Sequence, residues 1–346
     1  MKILVVRLSS LGDILHLFPA VSDLRSCFPA AEIHWLVEPA FAEMAGWHVA
    51  VDRVIAVPLR RNKKTWWKIP GLLRHLKKQL KAEHYDLVID AQGLIKSALL
   101  SRLPGIDIYG FSAGSAREPL AARFYKKTAS VAPGLHVVEK NRQLVAQLFG
   151  TDISGTADFG LAAFRERQMG LPEHLKSFEG KKCILLLHGT TWNSKYWPEA
   201  SWQELTGMFV RQGFRCLLPW GNEEERLRAE RLAHEGGEVL PRLSLSELTG
   251  VLLHAQGFIS VETGIGHLAT VLDVPGIMLH GPTDPDYSGI PDRSCVHITS
   301  GLECSPCFKR DCPIPDRETG LPPCQQAIDA HRVFEACMKQ FSGSGS

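Results

Sequence analysis

The chain carries almost no net charge: its 346 residues include 39 Lys and Arg and 37 Asp and Glu, which leaves +2 at neutral pH. This balance excludes a protein that coats nucleic acid through overall basic charge, although it permits a local basic patch. No apolar run reaches the ~18 residues that a membrane-spanning helix needs. The apolar segment that begins at Ile3 is also too short for a secretory signal peptide. We therefore expect a cytosolic protein that binds no nucleic acid and meets a membrane only peripherally.

Two motifs are missing as well. The first predicted strand is not followed by the G-x-G-x-x-G turn of dinucleotide-binding proteins, and the chain contains no Tyr-x-x-x-Lys pair. A nucleotide-sugar epimerase or dehydrogenase would need both, so that class of enzyme is disfavoured. The composition is otherwise that of a globular protein, with 45% hydrophobic and 22% charged residues. The length predicts two domains.

Apolar runs alternate with segments of helical spacing, which predicts an α/β fold built from parallel βαβ units. The predicted strands are Lys2–Leu8, Ile33–Val37, Val54–Val57, Leu87–Asp90, Cys183–Leu187, Arg215–Pro219, Gly257–Val261 and Gly276–Leu279. Periodicity fades around residues 150–180, so we expect Rossmann-like domains over residues 1–165 and 180–325, with ligands at the carboxyl ends of their strands. We also expect a C-terminal helix over residues 326–341 that returns to the first domain, and a flexible tail over 342–346.

The sharpest local signal lies between Phe258 and Leu268, where a strand runs into a glycine-containing turn and then a helix. Backbone N–H groups and the positive end of the helix dipole would face whatever binds there, which suits a diphosphate. Gly264 and Gly266 would let the backbone approach that ligand closely. The alternative is an ordinary turn between a strand and a helix.

Two further loops follow strands in the same half. Residues 188–198 place hydroxyl groups and Lys195 at the end of a strand, as the oxyanion of a leaving group requires, although Lys195 fits a plain surface lysine equally well. The acidic run after Trp220 includes Glu225, where a carboxylate could hold both hydroxyls of a ribose. Acidic residues are also common at helix N-termini. Three strand ends with complementary chemistry favour a nucleotide-diphosphate site.

The first half offers a carboxylate and a set of cations. The segment Ser9–Asp13 follows the first strand and places Asp13 in the first turn of a helix, where it serves either as a general base or as a helix-capping residue. Basic residues around Trp66 and Trp67 suit carboxylate or phosphate groups, a membrane interface, or simply a solvated helix face. This basic set comprises Arg60, Arg61, Lys63, Lys64, Lys68, Arg74, Lys77, Lys78 and Lys81, with Lys96 and Arg117 on other loops.

These segments together resemble the lipopolysaccharide heptosyltransferases, a GT-B group of inverting enzymes in glycosyltransferase family 9, and heptosyltransferase I in particular. The stretches that carry the resemblance are Arg7–Asp13, His34–Glu38, Val54–Arg61, Asp90–Ser97, Ala116–Leu120, Lys195–Glu199, Leu218–Gly221 and Gly281–Pro285. They are long and jointly specific, and they cover the chain to about residue 290. The resemblance implies two Rossmann-like domains whose parallel sheets face a central cleft.

The resemblance also implies a reaction. Heptose would pass from ADP-L-glycero-D-manno-heptose to the Kdo sugar carried on lipid A, at the cytoplasmic face of the inner membrane, with no cofactor or metal ion required. Asp13 would be the general base, Lys195 would neutralise the departing ADP, Glu225 would hold the ribose and Leu243 would lie near the adenine. The other donor contacts would be Thr190, Thr191, Glu262, Thr263, Gly264, Gly266 and His267. The acceptor contacts would be Ser10, Arg60, Arg61, Lys64, Lys96 and Arg117.

This sequence departs from heptosyltransferase I in two places. Glu262 stands where that group usually has an aspartate, and the extra methylene would move the carboxylate by roughly 1.5 Å. The segment after Cys295 is richer in cysteine, with Cys304, Cys307, Cys312 and Cys324. Four thiols that begin with C-x-x-C could hold zinc, stay free and buried, or form disulfides after lysis. A transferase of the same family with another acceptor, such as a heptosyltransferase II-like enzyme, is therefore the alternative.

Overall fold

The computed structural model describes residues 1–59, 69–167, 170–290 and 294–343. The chain divides into two compact units, Met1–Phe164 and Arg165–Ser346. Within the described residues, each unit contains one six-stranded sheet whose neighbouring strands are all parallel.

The first sheet is built around a central strand that is apolar on both faces. Its strands are β1 (Lys2–Val6), β2 (Glu32–Val37), β3 (Arg53–Ala56), β4 (Leu87–Asp90), β5 (Ile108–Phe111) and β6 (Lys127–Ala129). They lie in the order β3-β2-β1-β4-β5-β6, so the direction of winding reverses between β1 and β4. Ligands of open parallel sheets bind outside the carboxyl ends of the strands at such a switch point.

Helices cover both faces of this sheet. They are α1 (Leu11–Leu15), α2 (Phe18–Cys27), α3 (Ala42–Ala45), α4 (Ile69–Ala82), α5 (Ile95–Ser101) and α6 (Val137–Phe149), and α7 (Ala162–Arg167) spans the boundary between the units. On α4, the buried side chains of Leu76 and Leu80 lie one turn apart and join the core that includes Val88. Helix α6 is tied to α2 by Arg142, whose Nε donates to Asp23 at 2.8 Å.

The second sheet repeats the same winding. Its strands are β7 (Cys183–Leu187), β8 (Arg215–Leu218), β9 (Glu238–Val239), β10 (Gly257–Val261), β11 (Gly276–His280) and β12 (Cys295–Thr299). They lie in the order β12-β11-β10-β7-β8-β9, which puts the switch point between β7 and β10. All five residues of β7, of β10 and of β11 are buried, as expected for central strands of a parallel sheet.

The helices of the second unit are α8 (Glu199–Arg211), α9 (Glu223–Leu232), α10 (Leu245–His254), α11 (Gly264–Val271), α12 (Pro285–Ser288), α13 (Pro323–Gln326) and α14 (Ala330–Gly343). The C-terminal helix α14 packs on this same unit. Its Val333 and Cys337 are fully buried in the core of the second sheet, and the ring centroids of Phe334 and Phe209 are 4.9 Å apart. The expectation that this helix returns to the first domain is therefore wrong, because its apolar face is already covered by α8.

Candidate functional site

At the first switch point, a buried arginine links two strand ends to a carboxylate. Arg7 follows β1, is only 7% exposed, and donates from Nη1 to the carbonyl oxygen of Ala91, which follows β4. Its Nη2 donates to Oδ1 of Asp13 at 2.9 Å. The strand order therefore brings Asp13 to the point where ligands of this sheet type bind.

Asp13 is the third residue of α1 and reaches back to the residue that precedes the helix. Its Oδ2 accepts hydrogen bonds from the backbone N–H of Ser10 at 2.9 Å and from the Ser10 hydroxyl at 3.0 Å. Burial by itself would raise the pKa of Asp13, but the Arg7 charge, the Ser10 hydrogen bonds and nearby His16 lower that pKa to about 2. Asp13 therefore contributes to helix capping and is also ionised, and so able to accept a proton, at any physiological pH.

The loop that carries Ser9 and Ser10 is held from the neighbouring strand. The Gln92 side chain accepts from the N–H of Leu8 at 2.9 Å and donates to the carbonyl of Ser9 at 3.3 Å. Asp90, at the end of β4, is fully buried and accepts from the backbone N–H of Gln92 at 2.9 Å. Sequence reasoning assigned roles to neither Gln92 nor Arg7, because their partners become visible only when β1 and β4 are adjacent.

Cations surround the Asp90–Gly93 turn. Lys96 is exposed in the first turn of α5, and Arg117 is exposed on a loop whose backbone lies so close to the turn that a Cβ on Gly93 would be 3.2 Å from the backbone nitrogen of Arg117. Lys140 of α6 was missed by sequence reasoning: burial, followed by the charges of Arg7 and Arg117, lowers its pKa. The predicted acceptor residues Arg60, Arg61 and Lys64 lie outside the described residues.

At the second switch point, Lys195 and Glu262 meet across β7 and β10. Lys195 ends a short 3-10 turn (Asn193–Lys195), and its Nζ forms an ion pair with Oε2 of Glu262. Oε1 of Glu262 also contacts Nε2 of His267 at 3.0 Å. Burial opposes ionisation of Glu262, but His267 and Lys195 hold its pKa well below the ordinary value. Lys195 is 9% exposed and Glu262 8%, so this lysine is not an ordinary surface residue.

Glu225 lies between two loops that follow neighbouring strands. It belongs to α9, and its Oε2 accepts from the N–H of Gly221 after β8 at 2.7 Å. On the other side, a Cβ on Gly189 after β7 would lie 3.1 Å from the Glu225 carboxyl carbon. A larger residue at position 189 would therefore press on this carboxylate and shift it slightly. Glu225 is half-buried and stands at a strand end, as a group that holds a ribose would.

The other predicted donor residues lie on loops at the carboxyl edge of the same sheet. Thr190 and Thr191 follow β7, Leu243 follows β9 and precedes α10, and Thr263 is the residue before α11, whose first residue is Gly264. Gly266 is different. A Cβ there would lie 2.5 Å from the Ser260 hydroxyl and 3.0 Å from Met278, so it is the packing of α11 against the sheet that requires a glycine at this position. That corrects the role expected for Gly266.

The cysteine-rich C-terminal segment forms hydrogen bonds with the loop that carries Lys195. The side-chain amide of Gln325, which is fully buried, donates to the carbonyl of Lys195 at 3.0 Å. The Ser194 hydroxyl donates to the carbonyl of Lys309 at 2.6 Å, and the Asn193 amide donates to Asp311 at 2.8 Å. Sequence reasoning did not connect this segment with the donor site.

The four cysteines of that segment are free thiols. Cys304 is exposed, Cys307 and Cys312 are half-buried, and Cys324 is buried. Burial, together with the other three thiols nearby, raises the pKa of Cys324 to about 11. Within the described residues, no group of three or more His, Cys, Asp or Glu side chains is arranged to hold a metal ion. In the same part of the chain, none of the helices combines the length and apolarity required to traverse a bilayer.

The chain is similar to proteins of known family and structure. The family model described as glycosyltransferase family 9 (heptosyltransferase) matches residues 73–317. Lipopolysaccharide heptosyltransferase 1 of Pseudomonas aeruginosa is 45% identical over 319 residues, which is 90% of this chain and 87% of that protein. The structure of the E. coli heptosyltransferase WaaC with ADP is 35% identical, has a TM-score of 0.82, and covers 98% of this chain and 100% of its own. The structure of WaaC with ADP-2-deoxy-2-fluoro heptose has a TM-score of 0.78 at 35% identity and covers both chains fully.

Proposed function

The chain belongs to glycosyltransferase family 9, and from that premise we propose that it transfers L-glycero-D-manno-heptose from ADP-heptose to the Kdo sugar of the lipopolysaccharide inner core, with inversion at the anomeric carbon. It is a glycosyltransferase with the α/β, GT-B-like fold that the sequence predicts. The observation that carries the proposal is the ionised Asp13 at the switch point of the first sheet, in a chain whose close relative is called heptosyltransferase 1.

The donor belongs at the carboxyl edge of the second sheet. Similarity to the WaaC structures that contain ADP and an ADP-heptose analogue supports this assignment. Lys195 would place a positive charge beside the diphosphate, and Glu262 and His267 would hold that lysine in position. Glu225, in the first turn of α9 after β8, would accept hydrogen bonds from the ribose hydroxyls. Because Lys195 supplies the charge, we propose that no metal ion or other cofactor is needed.

The reaction moves one glycosyl group and one proton. The acceptor hydroxyl oxygen attacks the anomeric carbon of the heptose, and the bond from that carbon to the phosphate oxygen breaks, so its electron pair leaves with ADP. Asp13 takes the hydroxyl proton, which then passes to solvent. A base in this position contributes on the order of 10²–10⁴ in rate. The products are the heptosylated acceptor, ADP and one proton.

The test is ADP release from ADP-heptose with and without Kdo-lipid A, for the wild type and for Asp13→Asn. Asparagine keeps the size of the side chain and can still accept from Ser10, but it has no charge with which to take a proton. We expect acceptor-dependent release that falls at least 100-fold in the variant while ADP binding is retained. Activity that survives in Asp13→Asn would reduce Asp13 to a helix-capping residue.

Two further measurements separate the finer claims. Kdo-lipid A and an acceptor that already carries the first heptose distinguish the proposed activity from a heptosyltransferase II-like one, and activity with only the second acceptor would support the alternative. Comparison of the anomeric configuration of donor and product by NMR tests inversion. A product with the configuration of the donor would contradict the mechanism.

We further propose peripheral association with the anionic cytoplasmic face of the inner membrane, where Kdo-lipid A is made available. This proposal is supported by the outer face of α4, which is exposed and basic while Leu76 and Leu80 face the core. Its cations are Arg74, Lys77, Lys78 and Lys81. We expect Lys77→Glu/Lys78→Glu to weaken binding to phosphatidylglycerol-containing vesicles, and the matched pair Lys181→Glu/Lys182→Glu to have little effect. If both double variants lost the same amount of vesicle binding, the net charge of the protein, and not the basic face of α4, would explain the binding.

A further inference from the structure

We propose that Arg7 is a positioning residue for the transfer reaction, because it fixes the Asp13 carboxylate in one orientation and leaves one oxygen of that carboxylate open to the acceptor hydroxyl. The proposal rests on the proposed role of Asp13 as the base. It adds a residue that does not itself touch either substrate and that acts through Asp13.

Arg7 is held at two points. Nη1 donates to the carbonyl of Ala91 and Nη2 donates to Asp13, while its Nε, within the described residues, has no hydrogen-bond partner. The guanidinium group is planar and rigid, so these two contacts fix its orientation. The position of Asp13 Oδ1 is therefore set by the end of β4, and not by the five-residue helix α1 alone.

The hydrogen bonds of Asp13 are distributed unequally over its two oxygens. An ionised carboxylate has about four lone-pair sites, two on each oxygen. Within the part of the chain that the structure describes, Oδ2 accepts two hydrogen bonds from Ser10, whereas Oδ1 accepts one, from Arg7 at 2.9 Å. The open site is thus on Oδ1, and the Asp13 side chain is 27% exposed, which leaves room for a hydroxyl to reach it. The acceptor proton would pass to the same oxygen that Arg7 holds.

No other carboxylate in the described part of the chain takes the place of Asp13 beside Arg7. Asp90 also stands at the end of β4, but its Oδ2 accepts from the hydroxyls of Ser97 and Tyr125, each at 2.8 Å. In the described part of the chain, the titratable groups whose charges act on this pair are His16, which directly follows α1 and acts on Asp13, and Lys140 from α6, which lies near both Arg7 and Arg117. The ion pair of Arg7 and Asp13 therefore has further cationic or titratable basic groups around it.

Replacing Arg7 by methionine sets two effects against each other. Loss of the neighbouring charge makes Asp13 a stronger base, which alone would speed proton transfer. Loss of the anchor frees the carboxylate to rotate, which alone would slow it. We expect the loss of orientation to outweigh the gain in basicity, so that kcat at pH 7.5 falls about 10- to 100-fold while KM for ADP-heptose changes little.

The pH profile reports whether Arg7 acts through Asp13. In the wild type the base stays ionised, so activity should show no acid limb from Asp13 above about pH 4. In Arg7→Met the pKa of Asp13 should rise by about 1–3 units, to between about 3 and 5, and the rate should then fall as the pH is lowered through that range. Arg7→Lys restores the charge and one contact; we expect it to return kcat to within about tenfold of wild type and to remove the acid limb.

Arg142→Met is the matched control, since Arg142 is 6% exposed, pairs with Asp23 at 2.8 Å and lies in the same unit. Its kcat and pH profile should equal those of the wild type. An unchanged or higher kcat in Arg7→Met, or a lower kcat without an acid limb, would overturn the proposal. Asp13→Asn distinguishes a failure of the Arg7 proposal from a failure of the proposed function. If Asp13→Asn is inactive, the assignment of Asp13 as the base stands, whatever the result for the Arg7 variants. If Arg7→Met folds poorly, as judged by its thermal transition, Arg7→Gln carries the same test.

Discussion

Replacing Lys195 by methionine should destabilise the second unit as well as abolish transfer. The change leaves the Glu262 carboxylate, 8% exposed, with His267 as its remaining described partner. Removing one member of a buried ion pair costs about 3–5 kcal/mol. His267 still contacts the carboxylate, so we expect the lower end, about 3 kcal/mol at pH 8. For a unit of this size that corresponds to a fall in Tm of about 6–12 °C.

The stability that Lys195→Met loses should be greater at high pH than at low pH. In the wild type the pKa of Glu262 lies well below its ordinary value of 4.5, so its ionisation stabilises the fold above that value, and this contribution is lost as the pH falls through the native pKa. Without Lys195, burial raises the native pKa of Glu262. The destabilisation should therefore be largest at pH 8 and smaller at acidic pH, where the Glu262 carboxylate of the variant takes up a proton.

A second substitution separates stability from catalysis. In Lys195→Met/Glu262→Gln the uncompensated charge is gone, so the free energy of unfolding should return toward the wild-type value while acceptor-dependent ADP release stays lost. Urea unfolding and ADP release measure the two quantities. Lys176→Met, which breaks the exposed pair of Lys176 with Glu173, is the control and should cost less than about 0.5 kcal/mol. A loss below about 1 kcal/mol for Lys195→Met at pH 8, or a double variant no more stable than the single one, would refute the reasoning.

Three further outcomes are expected. Gln325→Leu removes the 3.0 Å hydrogen bond to the Lys195 carbonyl and should lower kcat about tenfold, with a smaller change in ADP affinity. An unaltered kcat would show that this hydrogen bond is not needed to position Lys195. Acidification from pH 7 to pH 5 should lower the free energy of unfolding by about 2 kcal/mol for each of His188 and His280. Burial lowers their native pKa values to about 4 and about 3, so these histidines take up protons in the unfolded chain before they do so in the folded protein. Urea titrations of the wild type and His280→Asn test this, and equal pH slopes would contradict it. Thorough chelation should leave turnover intact, and loss of turnover that Mg²⁺ restores would contradict metal-independent transfer.

The elements of the fold were largely readable from local pattern. Buried central strands of parallel sheets are continuous apolar runs, and all eight predicted strands are present, with ends within two residues. The strands that pattern did not predict are β5, β6, β9 and β12, and three of these, β6, β9 and β12, lie at sheet edges and are short or carry polar residues. Edge strands are stabilised by pairing with a neighbour, which no local window of sequence contains.

The sequence predicts the position of a candidate site residue when that residue directly follows a predicted strand. Lys195, Glu225 and Glu262 could be placed at the carboxyl edge of a sheet because parallel strands end on the same side. Asp13 could be placed in the first turn of a helix, but sequence pattern left its role open between base and cap. The family resemblance, and not the pattern, indicated the role of base. The structure shows that the carboxylate contacts both Ser10 and Arg7.

By itself, then, the sequence determined which residues lie on buried strands and which lie on the loops after them, since burial and helical spacing are periodic along the chain. Only the tertiary structure decided the partners of those loop residues. Arg7 reaches Ala91, and Lys195 reaches Glu262, because the winding of each sheet reverses between two adjacent strands that are distant in sequence. Likewise, Gly266 faces Ser260 and α14 covers its own unit, because contacts between elements that are distant in sequence decide which neighbour covers the buried face of a helix.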